Sequence, residues 1–178
     1  MALIAEEVVE EWLNQQGFLT LRGLKLGVQE IDLLAVRYSA HGVELRHYEV
    51  QASMNPVSYI SRVPKAVQKA TGRAPTSAKK RSLDELEVGV AEFIEKKFFM
   101  DRKEKIRRSI WVGDWTFHFV INEVLHEEEL EVFRKTGVEM IRLKQVLHDL
   151  SKSNGKFTAA NKDLVDLILM TDRALDTN

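Results

Sequence analysis

The sequence predicts an α/β fold, a single domain in which helices flank a mixed central sheet. Three predicted strands follow one another early in the chain, and a strand-helix-strand unit follows later. Strands in direct succession pair antiparallel, whereas a strand-helix-strand unit places its strands parallel, so the sheet should be mixed. The chain has 178 residues and is 44% hydrophobic, which is enough for one well-buried core. It is too short for two domains that each have a core of their own.

The first elements are one helix and three strands. An amphipathic helix is predicted over 3–16, because its apolar residues recur at helical spacing, and Gly17 ends it. The strands comprise residues 18–26, 29–36 and 43–51, with a connecting turn over 38–42. All three prolines follow these strands, so the next segment should be partly irregular, with Pro64 in the first turn of a helix running toward Gly72.

The second half begins with a long helix. Ser82 is a typical N-cap, and the apolar spacing predicts a helix that continues through a charged run to Arg108. Cations alternate with acids in that run, which predicts a solvated helical face with an optional role in DNA contact. Its cations are Lys96, Lys97, Arg102, Lys103, Lys105, Arg107 and Arg108. The later elements are a strand over 115–122, a helix over 123–135, a strand over 138–143, and helices over 144–150 and 159–175.

These elements divide the single domain into three parts. Residues 1–72 form the core that carries the candidate site, residues 73–110 form a basic helical insertion, and residues 111–178 form the C-terminal strand-helix part.

Composition excludes several classes of site. The chain has no cysteine, so disulfides and thiolate zinc sites are excluded, and a reducing cytoplasm is the expected location. No apolar run reaches the length of about 18 residues that a membrane span requires, and the N-terminus turns acidic too early for an export signal, so we expect a soluble protein without membrane contact. A Gly-rich phosphate loop, a nucleophile elbow and a Cys-His pair are all lacking, and no organic cofactor is predicted.

Two carboxylates are the main chemical signal. Asp32 lies in a strongly apolar strand and Glu49 near the end of the next, so a hairpin brings them together, with Gln51 on the strand face of Glu49. Paired carboxylates suit a hard cation such as Mg²⁺ or Mn²⁺, which can activate water and neutralise charge on a phosphate. The alternatives are a structural salt bridge for Asp32 and a solvent-facing charge at the strand end for Glu49.

A basic block follows the carboxylates. The net charge is -1, yet no acidic residue lies between Glu49 and Asp84. The seven cations of the block are Arg62, Lys65, Lys69, Arg73, Lys79, Lys80 and Arg81. We expect them to bind the phosphodiester backbone that the carboxylates would repel. The alternative is a solvated basic loop.

The order of these residues resembles a known family. Asp32 followed by Glu49-Val50-Gln51, with Glu6 in the opening helix, resembles the PD-(D/E)XK superfamily of metal-dependent nucleases, in particular its restriction-endonuclease-like and Holliday-junction-resolvase-like members. The resemblance implies a restriction-endonuclease-like sheet. It also implies that Asp32, Glu49 and the Val50 carbonyl bind the metal and that Glu6 assists through water.

The resemblance has one departure and one further implication. The last motif residue of the family is usually lysine, whereas Gln51 can orient a water but cannot carry positive charge. Some relatives carry a glutamine on the helix after the motif that contacts the site, and Gln68 lies at a comparable place.

The predicted function is a divalent-metal-dependent endonuclease that hydrolyses phosphodiester bonds in DNA by metal-activated water. A homodimer is a family-level expectation, because cutting two strands needs two sites. The alternative is a catalytically inactive nucleic-acid-binding or assembly protein on the same fold. A third possibility is a purely structural subunit.

Overall fold

The structure is a computed structural model that describes residues 2–53 and 55–152. These residues form a single α/β domain, a five-stranded mixed sheet flanked by helices. The first elements are helix α1 (Ala2–Gln15) and strands β1 (Leu19–Leu26), β2 (Gln29–Ser39) and β3 (Gly42–Gln51). Helices α2 (Lys65–Thr71) and α3 (Leu83–Ile94), a π-helical segment (Glu95–Phe99) and α4 (Asp101–Ile110) follow. The last described elements are β4 (Trp115–Ile121), α5 (Glu128–Arg134), β5 (Glu139–Arg142) and α6 (Leu143–Lys152).

The sheet is mixed, as predicted. Its strand order follows the chain, and β1 to β3 pair antiparallel while β3, β4 and β5 pair parallel. Helices α1 and α6 pack on one face, where Leu13, Tyr48 and Leu150 belong to the same buried cluster. On the other face, α3, α5 and the π-helical segment cover β4 around Phe119, and α4 packs on β2 near Leu34. The aromatic residues of β4 therefore mainly fill the core.

The β2–β3 hairpin is tighter than predicted. Ser39 pairs with Gly42, so the strands include most of the predicted turn over 38–42 and leave only residues 40 and 41 between them. Gly42 has a φ of +117°, which L side chains rarely adopt. The Ser39 hydroxyl donates to the Gly42 carbonyl and accepts the His41 N–H, which closes the turn.

The long helix predicted from Ser82 is interrupted. Ser82 does form the capping box with Glu85, but the α-helix ends at Ile94 and continues as the π-helical segment. Met100 then has an extended backbone, and α4 begins after it. The break buries the Phe98 side chain and presents its carbonyl to the Arg107 guanidinium at 2.7 Å. Helix α4 packs on the sheet, so part of the charged run, including Lys103 and Arg107, is buried against it.

Close packing fixes the segment between β3 and α2. Gly89 of α3 allows this approach, since a Cβ there would lie 2.9 Å from the Ser61 hydroxyl and 3.0 Å from the Arg62 carbonyl. The buried Glu129 carboxylate accepts the backbone N–H groups of Ile60 and Ser61 at 2.6 and 3.0 Å. Helix α2 follows Pro64 and ends at a left-handed Gly72, as predicted.

The remaining predictions differ mainly in length. The helix predicted over 123–135 covers only Glu128–Arg134, because Val124 forms a β-bridge with Val57 instead of joining the helix. The predicted helix over 159–175 lies outside the described residues. No helix in the described ranges has the length and apolar character needed to cross a membrane.

Candidate functional site

Asp32 and Glu49 lie near each other on neighbouring strands. The last pair of the β2–β3 register is Leu33 with Tyr48, and Asp32 and Glu49 are the next residues along the two strands. Lys97 Nζ lies 4.0 Å from Asp32 Oδ2 and 2.9 Å from Glu49 Oε2, so the two carboxyl groups share one neighbour. The Asp32 Oδ2 atom accepts the Val50 N–H at 2.8 Å. The structure therefore brings the two predicted carboxylates together.

Glu49 is fully buried, and each of its carboxylate oxygens has a cationic partner. Oε1 accepts from Lys103 Nζ at 2.5 Å and from His47 Nε2 at 2.9 Å. Oε2 accepts from Lys97 Nζ at 2.9 Å. A buried carboxylate is stable only when it is paired and hydrogen-bonded in this way.

His47 takes part as a neutral donor. Its Nδ1 lies 3.1 Å from Arg107 Nη1, and since a guanidinium only donates, Nδ1 must be the acceptor and Nε2 must carry the proton given to Glu49. Burial lowers the pKa of His47 to about 4, despite the opposing effect of Glu49. The imidazole therefore orients Glu49 without adding charge at neutral pH.

Lys97 lies between the two carboxylates. Its Nζ is 2.9 Å from Glu49 Oε2 and 4.0 Å from Asp32 Oδ2. Its side chain is 30% exposed, whereas that of Lys103 is only 4% exposed. Lys103 is thus the interior partner of Glu49, and Lys97 is the partner on the solvent side.

The two carboxyl groups differ in acidity. Burial, and then the negative charge of Glu49, raise the pKa of Asp32 to about 6, against the opposing effects of Lys97 and the Val50 N–H. Burial also acts to raise the pKa of Glu49, but the His47 hydrogen bond and the Lys97 and Lys103 ammonium groups outweigh it, so that pKa is lowered. Glu49 is therefore the more acidic carboxyl group of the pair, and Asp32 is the one whose ionisation is disfavoured.

Glu6 and Gln51 lie at the margin of this cluster. Burial, and then Glu30, raise the pKa of Glu6, and Lys97 and Glu49 lie near enough to influence it as well. Gln51 is half-buried at the end of β3 and shares the strand face of Glu49. The structure thus places Gln51 on the strand face of Glu49 and Glu6 within electrostatic range of the cluster.

The donor set can be tested against a divalent ion. In the described part of the chain, no three His, Cys, Asp or Glu side chains are arranged to hold a metal ion. Mg²⁺ does not need three, because it is commonly bound by one or two carboxylates plus water and substrate oxygens. The Lys97 ammonium already occupies a cation position between Asp32 and Glu49, so the pair fits a cation in charge and placement.

The basic block divides into exposed and structural residues. Five of its cations are exposed: Arg62, Lys65, Lys69, Lys79 and Lys80. Arg73 is bound to the Glu85 carboxylate at 2.8 Å. The Gln68 side chain donates to the Val63 carbonyl, which secures the start of α2.

Arg81 requires a correction. It was predicted to bind nucleic acid, but it is only 5% exposed, with its guanidinium over the Tyr59 ring and hydrogen-bonded to the Ser61 carbonyl. Its position stabilises the segment before α2 and leaves it unable to reach a phosphate.

Three cations of the site were assigned to a solvated face from the sequence, and that prediction is wrong for them. Lys103 and Arg107 are buried, and Lys97 is paired with Glu49. One signal was present in the sequence. Lys103 and Arg107 are four apart and share a helical face with the apolar Ile106 and Ile110, which is the spacing of a buried stripe.

Comparisons with known proteins do not identify a family. No protein-family model and no curated protein matches the chain. A solved structure described as a protein of unknown function, AF1548, is similar with a TM-score of 0.46 and 14% identity. The match covers 90% of this chain and 75% of that one.

Proposed function

We propose that this chain is a divalent-metal-dependent nuclease that hydrolyses phosphodiester bonds, with DNA as its substrate. The observation that carries the proposal is the meeting of Asp32 and Glu49 around one cation position, now taken by Lys97. Two neighbouring carboxylates in a partly buried site repel each other, which lowers the stability of the fold. Such an arrangement is typical of a site that binds a cation or performs chemistry.

Each residue of the proposed site has a defined task. Asp32, Glu49 and the Val50 carbonyl would hold Mg²⁺ or Mn²⁺. A bound ion of this kind lowers the pKa of water and neutralises charge on a phosphate. Gln51 would position the attacking water through a hydrogen bond, and Glu6 would assist from α1 through water. His47 and Lys103 hold Glu49 in one orientation from behind.

Three features support a restriction-endonuclease-like fold within the observed α/β class. An opening helix precedes three antiparallel strands, helices then lead to a strand parallel to β3, and the carboxylates lie on β2 and β3. This is the arrangement that the resemblance implies. A homodimer that places two such sites on two DNA strands belongs to the same proposal.

The exposed cations after β3 are proposed to hold the DNA backbone. They remain free to approach phosphates, because Arg62, Lys65, Lys69, Lys79 and Lys80 lie at the surface. Phosphate contacts of this kind fix position and make binding depend on salt.

The test is a plasmid-nicking assay over a Mn²⁺ and Mg²⁺ titration. We expect metal-dependent nicking by the native chain and its loss in Asp32→Asn, a variant that keeps an oxygen to accept the Val50 N–H. Asp114→Asn is the matched control, since Asp114 is an exposed aspartate in the loop before β4. Nicking that persists in Asp32→Asn would refute the site, and an absence of nicking by the native chain with either metal would refute the activity.

A second candidate function is supported by one observation. Glu49 is fully buried and both of its oxygens are already bonded to protein donors, which is the pattern of a structural ion pair. On that basis the chain would be a nucleic-acid-binding or assembly protein without catalysis. It would then bind DNA in a salt-dependent manner, and Mn²⁺ would leave its thermal stability unchanged, whereas the nuclease should be stabilised by the ion.

A further inference from the structure

Lys97 and Lys103 bind the same carboxylate in different ways. Lys103 reaches Glu49 Oε1 from the interior, and His47 shares that oxygen. Lys97 reaches the other oxygen, Oε2, and lies between Glu49 and Asp32. One oxygen of Glu49 is therefore held by buried groups, while the other is held by the single ammonium of Lys97, whose side chain is 30% exposed.

The backbone at Lys97 also differs from its surroundings. Lys97 is the middle residue of the π-helical segment, a type of helix that is rare and frequently found at functional sites. The side chain of Phe98, the next residue, is buried, and its carbonyl accepts a hydrogen bond from the Arg107 guanidinium, which anchors the segment. The backbone is thus fixed, whereas the long lysine side chain can move by rotating about its own bonds.

A divalent ion and the Lys97 ammonium cannot both occupy the space between the carboxylates. Each needs the Glu49 Oε2 atom, and two cations at contact distance repel each other. Lys103 need not move, because it binds the opposite oxygen. Lys97 is therefore the group that an entering ion would displace.

We propose that Lys97 is an exchangeable counter-ion, which holds the cation position of Asp32 and Glu49 until a divalent ion enters and then contacts the substrate phosphate. This inference rests on the proposed nuclease function. The displaced ammonium remains a side chain's length from the carboxylates, on the solvent side from which a phosphodiester would approach. It there provides the positive charge that Gln51 cannot supply.

The proposal predicts opposite effects on metal binding and on cleavage. Lys97→Met removes the competing charge, so Mn²⁺ should bind about tenfold more tightly than to the native chain. The same variant should cleave DNA at least about tenfold more slowly at saturating Mn²⁺, because a charge-assisted contact to phosphate is lost. A merely structural lysine would not produce this pair of changes, since damage to the fold weakens both.

The experiment is calorimetric titration of Mn²⁺ into the DNA-free protein, followed by single-turnover cleavage. Lys96→Met is the matched control for metal binding, because Lys96 is the exposed neighbour on the same segment, and its Mn²⁺ affinity should equal that of the native chain. Lys97→Gln is a second variant of different shape and should repeat the effect of Lys97→Met. Mn²⁺ affinity in both Lys97 variants that equals or falls below the native value overturns the exchange.

The outcomes separate this inference from the function on which it rests. If the Lys97 variants bind Mn²⁺ more tightly but the native chain cleaves no nucleic acid, the nuclease and the phosphate contact are refuted and the exchange is supported. Native cleavage with unchanged Mn²⁺ affinity in the variants refutes the exchange and leaves the nuclease intact. Mn²⁺ binding that is detected only after Lys97 is replaced also supports the exchange.

Discussion

Replacing Asp32 by asparagine should make the metal-free protein more stable at pH 8. Burial and Glu49 raise the pKa of Asp32 to about 6 in the folded chain, whereas an aspartate in an unfolded chain has a pKa of about 3.9. A difference of roughly two in pKa corresponds to about 3 kcal/mol. The side chain is only 15% exposed, so solvent screening reduces this value little. Asparagine removes the charge and keeps an oxygen for the Val50 N–H.

The pH dependence follows from the direction of this pKa change. Folded Asp32 holds its proton to a higher pH than unfolded Asp32, so ionisation favours the unfolded state as pH rises from about 4 to about 6. Relative to Asp32→Asn, the native chain should lose stability as the pH rises through this range. At higher pH its free energy of unfolding should stay below that of the variant. Below the unfolded pKa, the two proteins should be equally stable.

Urea unfolding in EDTA at pH 4 and pH 8 measures this difference. The variant should exceed the native chain by about 2–3 kcal/mol at pH 8 and by less than about 0.5 kcal/mol at pH 4. Asp114→Asn, the exposed control, should show no such change between the two pH values. The raised pKa of Asp32 would be refuted if the variant were less stable than the native chain at pH 8. It would also be refuted if the difference in unfolding free energy between the two proteins did not depend on pH.

Three further predictions concern Glu49, α3 and the basic block. Glu49→Gln should destabilise the fold by about 3–5 kcal/mol in urea unfolding, since it leaves the buried Lys103 without its counter-ion. Adding Lys103→Met should recover part of that loss. If the effects of the two changes on the unfolding free energy simply add, the ion pair is refuted. Gly89→Ala should destabilise by about 1–3 kcal/mol despite its helical position, because the added methyl group meets a backbone carbonyl, and a stabilised variant would contradict that packing. The double change of Lys79 and Lys80 to glutamine should reduce the magnitude of the salt slope of DNA binding by up to about 1.8, and an unchanged slope in a filter-binding or fluorescence assay would exclude both from phosphate contact.

The order of elements was predictable because it depends on local patterns. Alternation marked β1 and β4, the Ser82 capping signal marked the start of α3, and Gly72 marked the end of α2. The proximity of Asp32 and Glu49 was predictable because adjacent strands joined by a short turn form a hairpin, although the turn itself is shorter than the predicted 38–42.

The partners of Glu49 were not predictable in the same way. Lys103 lies 54 residues away in the chain, and only the break at Met100 turns α4 so that this lysine faces the sheet. A π-helical segment has no clear sequence signature, so the sequence predicted a continuous α-helix there. That prediction did not show which way the Lys97 side chain faces. Arg81 likewise was counted as a free cation because its contact with the Tyr59 ring depends on tertiary packing.

The most direct test of the shared cation position is the anomalous difference map of a crystal grown or soaked with Mn²⁺. The account predicts one peak within coordination distance of Asp32 and Glu49, at about 2.0–2.6 Å from their oxygens, with the Lys97 ammonium moved away from Glu49. At saturating Mn²⁺, a map without a peak there and with Lys97 still bound to Glu49 would contradict it.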